Sequence, residues 1–399
     1  MNLHQAQACN LGTLIDSPPQ NGYSPICPEH ATGKWVLGLS ALNGSSLDLS
    51  EAKPAPMNQP MVDRFFLSPG DFLISRSNTL DKVGRVGVFR GGLDNCSYPD
   101  LMMRFRPQLQ KVNPDYLEVY LKSELVVKYI RQHATGTSGS MKKINQATVA
   151  SIPVLLPSIQ EQKDIAGISA AWDTSIEKTE RLIAAKDRHY TYELSRLISQ
   201  GKHPSSHVGN FAHEVSERNR GGNDVRVLSV TNSRGFVLPE DQFERRVASA
   251  DLSNYKVVTR GQYAYNPSRI NVGSIARLDD WDIGVLSPMY VVFGLDNAKV
   301  DSDYFLHWLD SHEARERIKK SAQGSVRETV SFTEFAAIAF PLPDLGRQAA
   351  IARYLNTLRE EISTLGAYVE KLREQKRGLM QKLLTGQWQV PVESKEVAA

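Results

Sequence analysis

Cysteine is scarce in this sequence, with three residues, Cys9, Cys27 and Cys96, among 399. They form no CxxC pair, and an odd, sparse set provides neither a disulfide framework nor a set of zinc ligands. The N-terminal segment MNLHQAQACNLGTLID lacks the charged and then apolar pattern of a secretion signal. We therefore expect a cytoplasmic protein.

Long apolar runs and catalytic motifs are also missing. No run approaches the roughly 18 apolar residues of a membrane span, and no GxxxxGK[ST], GxSxG or HExxH motif occurs. NPSR, at Asn266, resembles the NPP[FY] motif of adenine methyltransferases, but it lacks the second proline and the aromatic residue. The balance of 47 Lys+Arg against 44 Asp+Glu neither requires nor excludes nucleic acid. The sequence predicts a binding protein without catalytic or metal-ligating residues.

A stretch without proline, from Gly346 to Gly386, carries apolar residues at alternating steps of four and three. Because this spacing averages 3.5 residues, it predicts one narrow apolar seam, which is typical of a coiled-coil strand. The predicted seam consists of Ile351, Leu355, Leu358, Ile362, Leu365, Val369, Leu372, Leu379 and Leu383, interrupted by Lys376.

A partner for this helix lies within the same chain. The stretch from Ser158 to Gly201 aligns with the first at an offset of 186 residues, and its seam is weaker because polar residues occupy several seam positions. The predicted seam residues here are Ile165, Trp172, Ile176, Ile183 and Leu197. We expect an antiparallel pair in which Ile165, Trp172, Ile176 and Ile183 face Leu358, Ile362, Leu365 and Val369.

The repeat continues upstream of both helices. SPGDFLISRS, from Ser68, matches TRGQYAYNPS, from Thr259, at an offset of 191, and NPDYLEVYLKS matches DSDYFLHWLDS at 188. A slowly drifting offset is what loop insertions and deletions produce between two copies of one fold, so the chain contains a duplicated domain. Each copy combines short strand signals with a few helices. We expect mixed α/β (α+β) domains at 1–157 and 202–342, long helices at 158–201 and 343–388, and a flexible tail at 389–399.

The joints between domains and helices carry a family resemblance. IPVLLPSIQEQKDI, FPLPDLGRQAAI and the ending LREQKRGLMQKLLTGQWQV resemble the DNA-specificity (S) subunits of Type I restriction–modification systems. The resemblance extends from Leu11 to Trp388. It is weakest at ELSRLISQGK, a degraded counterpart of LMQKLLTGQW.

This resemblance implies a fold and a division of labour. It implies two tandem target-recognition domains, each followed by a long α-helix, with the helices forming an antiparallel intramolecular coiled coil of pseudo-two-fold symmetry. The chain would read an asymmetric bipartite site on double-stranded DNA, without catalysis of its own, in phage defence. Partner subunits, two copies of a methyltransferase and the restriction/translocase subunits, would carry S-adenosylmethionine, ATP and Mg.

Candidate DNA contacts are basic, amide and hydroxyl residues in polar loops, since these groups reach phosphates and base edges. Most of these loops recur at matching places in the two copies. In the first domain they are Arg76, Asn78, Lys82, Arg85, Thr137, Ser140, Lys142 and Lys143; in the second they are Arg218, Asn219, Arg220, Asn266, Arg269, Asn271, Ser325 and Arg327.

Two other functions are compatible with the residues alone. The duplicated domains of a non-catalytic scaffold would bind proteins, with the helices as spacers. A stand-alone DNA modification enzyme would instead need a catalytic fold without any of the motifs searched. DNA binding by the chain separates the first alternative from a reader, and methyl transfer by the isolated chain tests the second.

Overall fold

A computed structural model describes residues 7–136, 141–221, 225–239, 251–323 and 329–390. The chain divides into two compact units, residues 1–178 with 369–399 (unit 1) and residues 179–368 (unit 2). Each unit therefore contains one mixed α/β domain together with a piece of both long helices. No helix among the described residues is long and apolar enough to cross a membrane.

Unit 1 is built on a four-stranded antiparallel sheet in the order Gln20–Asn21, Met102–Phe105, Asp71–Ser75, Val86–Phe89. All five residues of the strand Asp71–Ser75 are buried. Gln7–Asn10 pairs with Pro153–Leu156. Smaller ladders join Trp35–Leu37 with Ala52–Pro54 and Cys96–Ser97, and Ser77–Asn78 with Lys142–Lys143. The α-helices are Pro60–Asp63, Pro114–Leu121, Glu124–His133 and Gln146–Ala150.

Unit 2 repeats this plan. Its four-stranded sheet has the order Ala212–Val215, Val291–Leu295, Tyr263–Tyr265, Ile275–Arg277, again antiparallel. Ser205–His207 pairs with Ala339–Pro341, Ser229–Thr231 with Gly235–Val237, and Lys256–Thr259 with Ile283–Leu286. The helices are Ser302–Asp310, His312–Gln323 and Phe332–Ala336. Equivalent strands occur in the same order in the two four-stranded sheets, which confirms that the repeat in the sequence is a duplicated fold.

Both long helices are present, at Ile159–Leu194 and Leu345–Leu384. In unit 1, Asp173 forms an ion pair with Lys376 at 2.6 Å, and Ile165 packs in one cluster with Leu383. In unit 2, Lys186 pairs with Glu361 at 2.6 Å. Within each unit the residue numbers rise along one helix and fall along the other, so the two helices run antiparallel.

The prediction of which seam residues lie opposite each other in the two long helices is wrong at the ends of the pair. Ile165 packs near Leu379 and Leu383, and not against the segment that begins at Leu358. Leu358 and Ile362 instead pack with Tyr190 and Leu194 in unit 2. A heptad seam presents the same apolar pattern after a shift of seven residues, so its spacing alone leaves the register open.

Each joint between domain and helix is closed by a buried glutamine. Gln162 accepts a hydrogen bond at Oε1 from the Asn113 backbone N–H (2.8 Å) and donates from Nε2 to the Pro157 carbonyl (2.9 Å). Gln348 does the same with Asp301 (2.8 Å) and Pro343 (2.7 Å). Asn113 and Asp301 are themselves the N-caps of the helices that follow them. The joint is therefore the same construction twice.

Unit 2 adds a chain of polar side chains at this joint. Arg277 donates to Asp303 (2.6 Å), and Asn356 Nδ2 donates to the other oxygen of Asp303 (2.9 Å). Asn356 Oδ1 must then accept from His307 Nε2 (2.8 Å), and His307 Nδ1 accepts from the Tyr190 hydroxyl (2.9 Å). Burial lowers the pKa of His307 to about 4, which agrees with this neutral tautomer. The chain links the sheet of unit 2 to both long helices.

Candidate DNA interface

Two loops predicted to contact DNA come together in unit 1. Ser77–Asn78 follows the inner strand Asp71–Ser75 and pairs with Lys142–Lys143, with Lys142 opposite Asn78. The Ile144 backbone N–H donates to the Arg76 carbonyl at 2.9 Å. Segments that lie more than 60 residues apart in the sequence thus form one polar surface, which holds Arg76, Asn78, Lys142 and Lys143.

Three of the five basic residues predicted to contact DNA in the described part of unit 1 donate to backbone carbonyls. Arg76 donates to Asp100 O (3.5 Å), Arg85 to Asn43 O (3.0 Å) and Lys142 to Gly136 O (2.6 Å), while Lys82 and Lys143 are exposed. None of these five side chains forms an ion pair with a carboxylate in the part of the chain that the structure describes. Their charge remains available to a polyanion, and phosphate contacts of this kind dominate affinity for DNA.

The equivalent loop of unit 2 connects Tyr263–Tyr265 to Ile275–Arg277. Asn266 Oδ1 accepts from the Ser268 backbone N–H (3.0 Å), and Ile270 is buried beneath the loop. Arg269 and Asn271 are exposed on either side of Ile270. The Val330 backbone N–H donates to the Pro267 carbonyl at 3.1 Å, in the same position as the bond from Ile144 to Arg76.

The loop of unit 2 that contains Arg218, Asn219 and Arg220 has a different environment. Asn219 is 5% exposed, and its backbone N–H donates to Tyr255 O at 3.0 Å. Arg218 donates to Asn254 O (2.7 Å), whereas Arg220 is exposed. The burial of Asn219 argues for a role in holding the loop and against direct contact with a ligand.

Four of the predicted contacts, Thr137, Ser140, Ser325 and Arg327, lie outside the described residues. The predicted seam residues are all at least partly buried. Ile165, Ile351, Leu355, Val369, Leu372 and Leu383 are buried, and Trp172, Ile176, Ile183, Leu197, Leu358, Ile362, Leu365 and Leu379 are intermediate. Ile198 is more deeply buried than Leu197, because a π-helical turn at Ser195–Ser199 interrupts the heptad spacing.

The structure adds a hairpin tip that our reading of the sequence missed. Asn232, Ser233 and Arg234 are exposed at the turn between Ser229–Thr231 and Gly235–Val237. This tip and the loop at Asn271 line one polar groove of about 650 Å³. No group of His, Cys, Asp and Glu that could hold a metal ion occurs among the described residues.

Comparisons with known proteins agree with this architecture. No protein-family model matches the chain. A putative type I restriction enzyme MjaX specificity subunit from Methanocaldococcus jannaschii is 22% identical over 401 residues, 93% of this chain and 91% of the relative. The type I restriction enzyme EcoKI specificity subunit of Escherichia coli is 28% identical over 148 residues, 37% of this chain and 32% of the relative.

Solved structures show the same fold. A chain from a study of complex assembly and conformational transition of the type I R-M system aligns with a TM-score of 0.61 and 13% identity, over 95% of this chain and 97% of the other. The Type-I restriction-modification S subunit from M. genitalium aligns with a TM-score of 0.57 and 14% identity, over 96% and 97%. The resemblance indicated by the sequence is therefore confirmed: in sequence and in fold, the chain is similar over nearly its whole length to the specificity subunits of type I restriction enzymes.

Proposed function

We propose that this chain is the DNA-specificity subunit of a type I restriction–modification complex. It reads an asymmetric bipartite target on double-stranded DNA, one half-site with each domain. One observation carries the proposal: two units of equal strand order present exposed polar loops at equivalent places, and those loops differ in sequence.

The loop chemistry supports two different half-sites. The first domain presents Arg76, Asn78 and two lysines from paired segments, whereas the second presents Arg269 and Asn271 on either side of a buried isoleucine. Arginine, lysine and asparagine offer donors that distinguish bases in the major groove, and the two cations also bind phosphates without reading sequence. The same scaffold therefore carries two different recognition surfaces.

The helices and partner subunits complete the proposed function. The long helices act as a ruler that sets the unread bases between the half-sites. Catalysis comes from partner subunits that use S-adenosylmethionine, ATP and Mg. These are restriction/translocase subunits and methyltransferase subunits, of which we expect two copies because the joint between domain and helix occurs twice. The chain itself contributes recognition.

Mapping of methylated bases tests this function. The chain is co-expressed with its cognate methyltransferase subunit, and genomic DNA from the host is sequenced for methylation. The expected result is one asymmetric motif, with two specified blocks separated by unread bases, that disappears when the chain is omitted. A single contiguous motif, or a motif that persists without the chain, would contradict the proposal.

A further inference from the structure

A second exposed turn occurs at the same place in both units. LSALNGSSLDL, residues 39–49, aligns with LSVTNSRGFVL, residues 228–238, at an offset of 189. In unit 1, Leu42 and Leu47 form an antiparallel bridge, and residues 43–46 between them are exposed. In unit 2 the corresponding hairpin exposes residues 232–234. We call residues 43–46 and 232–234 the hairpin tips.

The hairpin that carries each tip packs on the equivalent edge strand of its own sheet. A Cβ placed on Gly87, in the edge strand of unit 1, would come within 2.9 Å of Leu42 and 3.1 Å of Leu47. A Cβ on Gly235 would lie 3.4 Å from the Cβ of Ala276, in the edge strand of unit 2. Gly87 and Ala276 are equivalent at the same offset of 189. The position of the tips is therefore part of the duplicated fold.

Each tip is also tied to the loop that we assign to DNA. In unit 1, Arg85 donates to the Asn43 carbonyl at 3.0 Å. At the position equivalent to Arg85, Ser274 donates to the Val230 carbonyl at 2.9 Å. A Cβ on Gly273 would lie 3.8 Å from Asn232. Tip and loop thus form one continuous surface in each unit.

The tips differ in which side chain holds the turn. In unit 1 the Asn43 side-chain oxygen accepts from the backbone N–H groups of Ser45 and Ser46, both at 2.9 Å. In unit 2 the Thr231 hydroxyl has this role, since it accepts from Arg234 N (3.0 Å) and donates to Gly235 O (3.1 Å). The Asn232 amide has no hydrogen-bond partner among the described residues, so both its donor and its acceptor can bind a base edge.

We propose that the hairpin tips are a second DNA-reading element of each domain, and that Asn232 reads a base pair of the second half-site. An asparagine amide forms two hydrogen bonds with N6 and N7 of adenine in the major groove. The base expected at this position is therefore adenine, with Arg234 next to it on the exposed turn. This inference rests on the proposed function, because it names a further specificity residue of the same interface.

Substitution of Asn232 tests the inference in the complete methyltransferase complex. Duplexes with each base pair of the target changed in turn are compared for binding by wild-type protein, Asn232→Ala and Asn232→Asp. Asn232→Asp keeps the shape of the side chain and loses the amide donor. We expect both variants to lose about 5- to 150-fold in discrimination at one position of the second half-site and none in the first.

The control is Asn210→Ala, which removes an exposed asparagine of the same unit that bonds to Ser206. It should bind every duplex as the wild type does. If the wild type reads two half-sites and both Asn232 variants discriminate between bases as it does, the inference is wrong and the proposed function still stands. A wild type that binds all duplexes equally would instead overturn the proposed function.

Discussion

At the scale of single residues, two buried glutamines do most to define how a domain meets its helix. Gln162 and Gln348 are 1% and 0% exposed, and each satisfies a backbone donor and a backbone carbonyl that would otherwise be buried without partners. A buried polar group without a partner costs about 1–3 kcal/mol. The glutamine at the start of each long helix therefore has a structural role that is independent of DNA.

Replacing Gln162 by alanine tests this role. The change leaves Asn113 N–H and Pro157 C=O without their partner, so the free energy of unfolding should fall by about 2–4 kcal/mol. Chemical denaturation measures it. Gln160→Ala is the matched control, because Gln160 is exposed two residues earlier on the same helix. It should change stability by no more than about 0.5 kcal/mol, and equal losses in the two variants would refute the role of Gln162.

His307 makes stability depend on pH. Its pKa is about 4 in the folded protein because burial disfavours the charged ring, against 6.5 for an unperturbed histidine. Between these values the unfolded chain binds more protons, so the free energy of unfolding should fall as the pH falls from about 6.5 to 4. The loss is up to about 3 kcal/mol. His307→Gln removes the titrating ring, and parallel stability curves for wild type and variant would contradict this assignment.

Several residues of the interface could not be found from the sequence for clear physical reasons. The loops at Arg76 and Arg269 follow short runs of apolar and aromatic residues, FLI and YAY, so their place after a strand was predictable. The burial of Asn219 depends on contacts with residues 254–256 that no local pattern reports. The hairpin tips could have been predicted, because the motif L-S-x-x-N recurs at an offset of 189. A match over five positions is, however, too short to stand out in a chain of 399 residues.

At the scale of elements, the long helices were the most predictable part of the molecule. Their heptad seam predicted which side chains are protected from solvent, and their antiparallel direction agrees with the ion pairs Asp173–Lys376 and Lys186–Glu361. Their register was not predictable, since a shift by seven residues leaves the seam intact. The domain clusters at Ile165 and at Leu194 fix it instead.

Lengthening both helices tests their role as a ruler. One heptad is inserted between Ile176 and Ile183 and another between Leu365 and Leu372, which keeps both seams. Seven residues add about 10 Å, so the unread spacer should grow by roughly three base pairs while both half-sites stay the same. Methylation mapping reads out both properties.

An insertion in one helix only is the control for this experiment. It sets seven residues out of register with the partner helix and should lower the yield of folded protein. A changed half-site in the doubly extended protein would show that the helices take part in reading bases, contrary to the proposal.

At the scale of the whole molecule, duplication would explain how one chain holds the two specificities that we propose. The four-stranded sheet, the N-capped helix and the glutamine joint recur in both units, whereas the side chains on the exposed loops and tips differ. The polar chain from Arg277 to Tyr190 is one difference inside the scaffold, because Val88 and Val119 stand where unit 2 has Arg277 and His307. A domain transplanted into the second position therefore has to bring these polar partners with it.

Replacing one domain tests whether each domain reads its own half-site. Residues 202–342 are exchanged for the equivalent domain of a relative that supplies partners for Tyr190 and Asn356. The motif methylated by the complex is then mapped by sequencing. We expect one half of the motif to change while the other half and the spacer stay as in the wild type. A replacement that altered both halves together, or neither, would contradict it.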